Sequence, residues 1–180
     1  MGKIVLYIAT SLDGFIARPD GNLDWLTSTP PPNEGDYGYK ALLESTEVII
    51  MGRQTYKEVL SFGDWVYPDF DTYVVSRDVD FLPTTPRTKA LQSDFSVFVG
   101  ELKAKTQKNI WLVGGGQIIT EFLRNDLIDK MIITIVPRIL GEGIRLFPDK
   151  PKESIWALAK VENFNTGLVN LTYEKTNNNY

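Results

Sequence analysis

The sequence predicts a three-layer α/β/α fold, with a mixed, mainly parallel β-sheet and an antiparallel hairpin at its end. Five short apolar runs are continuous rather than alternating, as expected for strands covered on both faces. Helical patterns occupy the intervals between them, which makes a parallel sheet the economical arrangement. The last two β-rich stretches flank Asn165-Thr166-Gly167, a hairpin signal. The 180 residues fit one domain over 1–180, with no internal repeat and no linker.

Taken in order, the first strand is Ile4 to Ala9, followed by the Ser11-Leu12-Asp13-Gly14 turn. Thr27 to Gly35 holds three consecutive prolines and is expected to be a long surface loop. Asp36 can cap a helix over Tyr37 to Ser45. The second strand, Val48 to Met51, breaks at Gly52-Arg53 into a helix over Gln54 to Leu60. Tyr73 to Val75 is the third strand. Phe95, Phe98, Val99 and Leu102 sit at helical spacing, although Val97-Phe98-Val99 also reads as a strand. Ile110 to Val113 is the fourth strand, Gln117 to Arg124 a helix, and Met131 to Val136 the fifth strand. Pro137, Gly141 and Gly143 turn the chain out of it, and Ile155 to Phe164 with Leu168 to Tyr173 forms the hairpin. Asn177 to Asn179 is expected to fray.

Composition narrows the chemistry. Apolar residues make up 43% and charged residues 23%, and no apolar run reaches the roughly 18 residues of a membrane span. A cytoplasmic location is expected, without a membrane partner. There is no Cys, which removes disulfides, thiolate nucleophiles and thiolate metal sites. There is no His, which removes the Ser-His-Asp triad and imidazole ligation. A net charge of −4 argues against a general nucleic-acid binder. Any catalysis therefore rests on carboxylates, hydroxyls, Lys, Arg, backbone groups or a borrowed cofactor.

Gly114-Gly115-Gly116 follows a strand and opens a helix at Gln117. Such a junction brings bare amides and a helix N-terminus up to an anion, but it also suits tight helix–strand packing. Its spacing is neither the dinucleotide fingerprint nor a Walker A loop. Gly52-Arg53-Gln54-Thr55 repeats the arrangement after the second strand, and Ser76-Arg77 ends the third. Ligands of open α/β sheets gather at the carboxyl ends of strands, so the three junctions together suggest an extended anionic ligand such as a dinucleotide. Asp13 and Asp36 are the acidic candidates, and each also has a purely structural reading, as an Asp-Gly turn and as a helix cap. Phe15, Trp25, Tyr37, Tyr39 and Trp65 could wall a flat heterocycle or simply pack.

In order along the chain, TSLDGFIA, NLDWL, VIIMGRQTY, YVVSR, WLVGGGQI and VPRILGEGIRLF resemble the dihydrofolate reductase fold. The SLDG element and the final motif look most like the branch containing the C-terminal reductase domain of riboflavin biosynthesis. The resemblance covers about Ile4 to Phe147 and implies NADPH as the hydride donor. It implies that Ala9 and Ile16 line the nicotinamide site. Gly52, Arg53, Gln54 and Thr55 would hold the adenine-side ribose and phosphates, with Ser76 and Arg77 near the 2′-phosphate. Gly114, Gly115, Gly116, Gln117 and Ile118 would hold the pyrophosphate and neighbouring ribose. Two arginines favour NADPH over NADH.

The resemblance also explains the missing His and Cys, because hydride transfer is the cofactor's chemistry and only a proton must come from elsewhere. In folate reductases an acid precedes the Gly-Arg glycine by sixteen residues, a spacing that lands here on Asp36. Asp13 belongs to the element where the riboflavin branch builds its substrate end. The expected substrate is a small heterocycle, with the phosphoribosylamino-uracil of riboflavin synthesis as the named case. Dihydrofolate or another pterin is the alternative, and a nucleotide-binding module without efficient turnover is a third. Only Lys40, between Tyr39 and the rest of that helix, offers a cation there, and no deaminase domain with zinc ligands is present. The apolar C-terminal strands suggest a homodimer.

Overall fold

The central strands of the parallel sheet are apolar at successive positions because both of their faces are covered. The structure, a computed structural model, describes residues 1–29, 35–92 and 95–176. Its elements are β1 (Ile4–Ser11), β2 (Phe15–Ala17), α1 (Asp24–Thr27), α2 (Tyr39–Ser45), β3 (Thr46–Gly52), α3 (Arg53–Ser61), β4 (Asp71–Val75) and β5 (Thr88–Leu91). They continue with α4 (Phe95–Lys105), β6 (Asn109–Gly114), α5 (Gly116–Arg124), β7 (Lys130–Val136), β8 (Ile144–Arg145), β9 (Trp156–Asn163) and β10 (Val169–Lys175).

The main sheet has the order β5-β4-β3-β6-β1-β7-β10-β9. Strands β5 through β7 in that order run parallel, and β10 pairs antiparallel with both β7 and β9. Alternation divides each central strand between two cores. Ile4 and Leu6 of β1, Val48 and Ile50 of β3, and Ile110 and Leu112 of β6 meet Val99 of α4 and Ile118, Ile119 and Phe122 of α5. Their neighbours Val5, Ile49, Met51 and Trp111 face the other way, against Leu42 of α2 and Tyr56 of α3. This is the mixed, mainly parallel three-layer architecture that the sequence predicts.

Several boundaries differ from expectation for local reasons. Helix α2 starts at Tyr39, not Tyr37, because Tyr37 (φ 61°) and Gly38 (φ 88°) adopt left-handed conformations that a helix cannot contain. The segment around Val97 is helix, and Val99 is fully buried beneath it. Elements β2, β5, β8 and α1 were not foreseen; they span only two to four residues each, too few to show a period. The prolines expected in a loop and the terminal asparagines lie outside the described residues. No described helix is long and apolar enough to cross a membrane.

The amino-terminal edge of the sheet is tied by Asp129. Its carboxylate accepts the Ile4 amide at 2.7 Å and the Lys103 ammonium at 2.7 and 2.9 Å, joining β1, α4 and the start of β7. The opposite, carboxyl-terminal edge carries the loops with the candidate site.

Candidate functional site

Two helices begin at that edge without a side chain to cap them. Gly52 precedes α3 and Gly115 precedes α5, and neither N-cap is supplied with a side-chain hydrogen bond. The first-turn amides of a helix have no intrahelical acceptor, so each start presents N–H groups and the positive end of the helix dipole. Because β3 and β6 are neighbours, the two starts stand side by side.

The three glycines after β6 have different reasons to be glycine. Gly114 adopts φ +135°, which side chains resist. A Cβ on Gly116 would lie 2.6 Å from the Arg145 carbonyl oxygen and 2.9 Å from Pro148, so the chain's own segment demands glycine there. Gly115 has φ −84°, and a Cβ there would meet only Thr55 Oγ1, at 3.5 Å. Neither its φ nor contact with a Cβ calls for glycine at this middle position. Its bareness leaves room between α3 and α5 for something outside the chain.

The remaining expected cofactor residues cluster around this junction. Thr55 stands beside Gly115, Gln54 is exposed on the first turn of α3, and Ile118 is buried beneath α5. At the end of β4, Arg77 reaches Gln117 of α5, with Nη2 3.5 Å from Oε1. The Ser76 hydroxyl accepts the Asp78 amide at 3.1 Å. Arg53 is ion-paired with Asp78, and its Cζ stands 5.8 Å from the centre of the Phe81 ring. Ends of β3, β4 and β6 are thus brought together. Ala9 and Ile16 are not brought into one cluster: Ala9 packs with Trp25, Val136 and Leu168, whereas Ile16 packs on the main core.

Beyond Ala9 lies a second, polar arrangement. The Tyr7 hydroxyl donates to the Tyr37 carbonyl at 3.1 Å, and Asn170 Nδ2 donates to the same oxygen at 2.7 Å. Thr134 Oγ1 donates to Asn170 Oδ1 at 2.6 Å, both side chains being buried. Burial pushes the Tyr7 hydroxyl up to about 12, with a Thr134 hydrogen bond opposing and the nearby Asp36 charge adding to the shift. Tyr7 therefore keeps its proton at neutral pH. Tyr37 is held further by Thr166, hydroxyl to hydroxyl at 3.0 Å, and by an edge contact to Phe164 at 4.8 Å. None of Tyr7, Thr134 or Asn170 was singled out from sequence. Asn170 inside an apolar β-run was the available signal.

The two acids differ in their surroundings. Asp36 accepts the amides of Gly38 at 3.1 Å and Lys40 at 2.6 Å, so it caps the turn into α2 while lying near Tyr7. Asp13 accepts the Ser11 hydroxyl at 2.6 Å, the Leu140 amide at 3.1 Å and the Gly141 amide at 2.7 Å. The Ser11 hydrogen bond, aided by those amides, lowers its carboxyl to about 2. Asp13 is a clip between the β1 turn and the segment after β7, and it stays ionised at neutral pH.

Comparison with known proteins agrees with this architecture. The family described as RibD C-terminal domain matches residues 2–170. The uncharacterized protein YwjB of Bacillus subtilis (strain 168) is 36% identical over 163 residues, covering 90% of this chain and 92% of its own. A putative riboflavin biosynthesis protein from Shewanella sp. PV-4 superposes with a TM-score of 0.87 at 36% identity, over 97% of this chain and 99% of that one. Dihydrofolate reductase from Enterococcus faecalis, complexed with NADP(H) and RAB-propyl, superposes at 0.69 with 17% identity, over 98% of both chains, and shares the fold.

Proposed function

The chain belongs to the RibD C-terminal domain family, and from that membership and the geometry of its strand ends we propose that it is an NADPH-dependent reductase of a small heterocycle. The observation that carries the reading is the pair of uncapped helix starts meeting at Gly115, where neither φ nor contact with a Cβ calls for glycine.

The residues present suit a dinucleotide. Amides of Gly115, Gly116, Gln117 and Ile118, with the Thr55 hydroxyl, would hold the pyrophosphate. Arg77 and Arg53 would face the 2′-phosphate beside Ser76. Bound there, the nicotinamide would supply the hydride. The chain's own part is to fix orientation, exclude water and provide a proton. Trp25, Val136 and Leu168 pack against Ala9 and keep that end dry. Asp36 is the proposed proton source, because Asp13 is held ionised by its clip and Tyr7 holds its proton too tightly.

The named substrate is a phosphoribosylamino-uracil, supported by the likeness to the Shewanella protein and by exposed Lys40 on the first turn of α2. A pterin is the second reading, favoured by the closeness of Asp36 to Tyr7. A homodimer through the exposed β9 edge belongs to the same proposal.

The test is a fluorescence titration with NADPH and NADH, followed by a panel of aminouracil phosphates, dihydrofolate and dihydropterins scored by loss of reduced-nicotinamide absorbance. Tighter binding of NADPH, weakened in Arg77→Ala, and turnover of one heterocycle class are expected. Absence of binding by either dinucleotide overturns the reading. Binding without turnover across the panel would instead leave a nucleotide-binding module.

A further inference from the structure

We propose that Asp78 sets the preference between NADPH and NADH in this chain by holding Arg53 away from the 2′-phosphate position, an inference that rests on the dinucleotide reading above. Arg53 is the first residue of α3, directly after Gly52, and so stands at the mouth of the cradle. Its guanidinium is nevertheless committed elsewhere. Nη1 is paired with Asp78 Oδ2, and Cζ lies over the Phe81 ring at 5.8 Å.

Asp78 is held where it is by its own backbone and neighbours. Its amide donates to Ser76 Oγ at 3.1 Å, its Oδ1 accepts the Asp80 amide at 3.1 Å, and its carbonyl accepts Gln92 Nε2 at 3.3 Å. A carboxylate is therefore pinned two residues beyond Ser76 and one beyond Arg77, among the groups expected to meet the extra phosphate of NADPH.

The consequence differs between the two dinucleotides. A 2′-phosphate is nearly doubly charged at neutral pH, so it is repelled by Asp78 and must compete with it for Arg53. NADH carries a hydroxyl at that position and meets neither cost. Asp78 thus lowers the preference that Arg53 and Arg77 would otherwise give. Both side chains of the pair are partly solvated, at 38% and 46% exposure, so water moderates the effect. Its expected size is about two- to fivefold in relative affinity.

The experiment measures dissociation constants of NADPH and NADH for the parent chain, Asp78→Asn, Arg53→Ala and the double variant. Asparagine keeps an acceptor for the Asp80 amide, so the turn survives the change. Asp78→Asn is expected to tighten NADPH about two- to fivefold while NADH affinity stays unchanged, with the gain shrinking as salt is raised. In the Arg53→Ala background the competition for Arg53 is gone and only the direct repulsion remains, so the same substitution is expected to give a smaller change of the ratio. An unchanged ratio, or weaker NADPH binding in Asp78→Asn, overturns the proposal, the latter because Asp78 would then be orienting Arg53 for the phosphate. A parent chain that binds neither dinucleotide overturns the dinucleotide reading and this inference together. Binding in the parent with an unaltered ratio removes the role of Asp78 alone.

Discussion

Gly52 and Gly115 close on each other across the β3–β6 junction: a Cβ built on Gly52 would stand 3.8 Å from the Gly115 amide nitrogen and 3.6 Å from the Gly114 carbonyl oxygen. One residue is the N-cap of α3 and the other the N-cap of α5, so the positive ends of two helix dipoles share one small space. Neighbouring parallel strands followed by helices on opposite faces produce that convergence, and each glycine lets the other helix start come near.

Gly115 therefore separates binding from folding. Gly115→Asp places a carboxylate in the shared space, and the φ of −84° and the nearest Cβ contact, Thr55 Oγ1 at 3.5 Å, leave room for its side chain. Its NADPH affinity is expected to fall at least about a hundredfold, through charge repulsion and lost access to the amides. Gly116→Ala should instead lower stability, because its Cβ would press on the Arg145 carbonyl at 2.6 Å. Unchanged NADPH affinity in folded Gly115→Asp would remove the pyrophosphate from this junction.

Asp36 can be tested without losing its cap. Asparagine accepts backbone amides as well as aspartate does at a helix start, but it has no proton to give. Asp36→Asn is expected to leave NADPH affinity and melting temperature close to the parent's while reducing turnover by about 10² to 10⁴, the usual worth of a general acid. Full turnover in the variant assigns the proton to water and leaves Asp36 as a cap.

The centre of the parallel sheet was legible because its strands are buried on both faces, and a doubly covered strand writes a continuous apolar run such as Val48 to Met51. The sequence also revealed the glycine junctions, since bare backbone at a strand end has few other causes. It could not distinguish the reasons behind Gly114, Gly115 and Gly116, which depend on a backbone angle and on the approach of Arg145 and Pro148 from thirty residues away. Nor could it show Tyr7 and Asn170 meeting at the Tyr37 carbonyl with Thr134 bonded to Asn170, because the three side chains come from strands far apart in sequence. The start of α2 was misplaced for a similar reason: those contacts hold Tyr37 in a left-handed conformation that its own sequence does not announce.

Asp13 should write itself into the acid stability of the protein. Its folded-state carboxyl is lowered to about 2 from an ordinary 3.8, so the clip stabilises the fold fully above the ordinary value and is lost as pH falls through about 2. Asp13→Asn is expected to melt below the parent at neutral pH, and the gap is expected to close progressively between about pH 4 and pH 2. Melting curves recorded across that range decide it. A gap that stays constant with pH would mean that the charge of Asp13 is not what Ser11, Leu140 and Gly141 hold.

At the other edge of the sheet, Lys103 and Asp129 are exposed by only 15% and 29%, and the carboxylate also carries the Ile4 amide. Lys103→Met keeps the length of the side chain and removes its charge, leaving a half-buried carboxylate with one amide. A loss of about 1–3 kcal/mol is expected in denaturant unfolding, since the partner's desolvation is no longer compensated. NADPH affinity should not change, because the pair lies at the amino-terminal edge and the glycine junctions at the carboxyl-terminal one. Unaltered stability in Lys103→Met would show that solvent already satisfies Asp129.

The last strand in the sheet order, β9, pairs among the described residues with β10 alone, on one of its two sides. Leu158 and Val161, both 55% exposed, stand on it, and Ile155 just before it is 51% exposed. This edge strand is eight residues long and carries the exposed ion pair of Lys160 and Glu162 beside its exposed apolar groups. Pairing with the same edge of a second copy would cover both, giving a two-fold dimer. Val161→Lys is then expected to shift sedimentation from dimer to monomer while leaving NADPH affinity unchanged, because β7 and β10 separate β9 from β1 and the cofactor junctions lie further still. A parent chain that sediments as a monomer at high concentration would rule out that edge as a self-pairing surface.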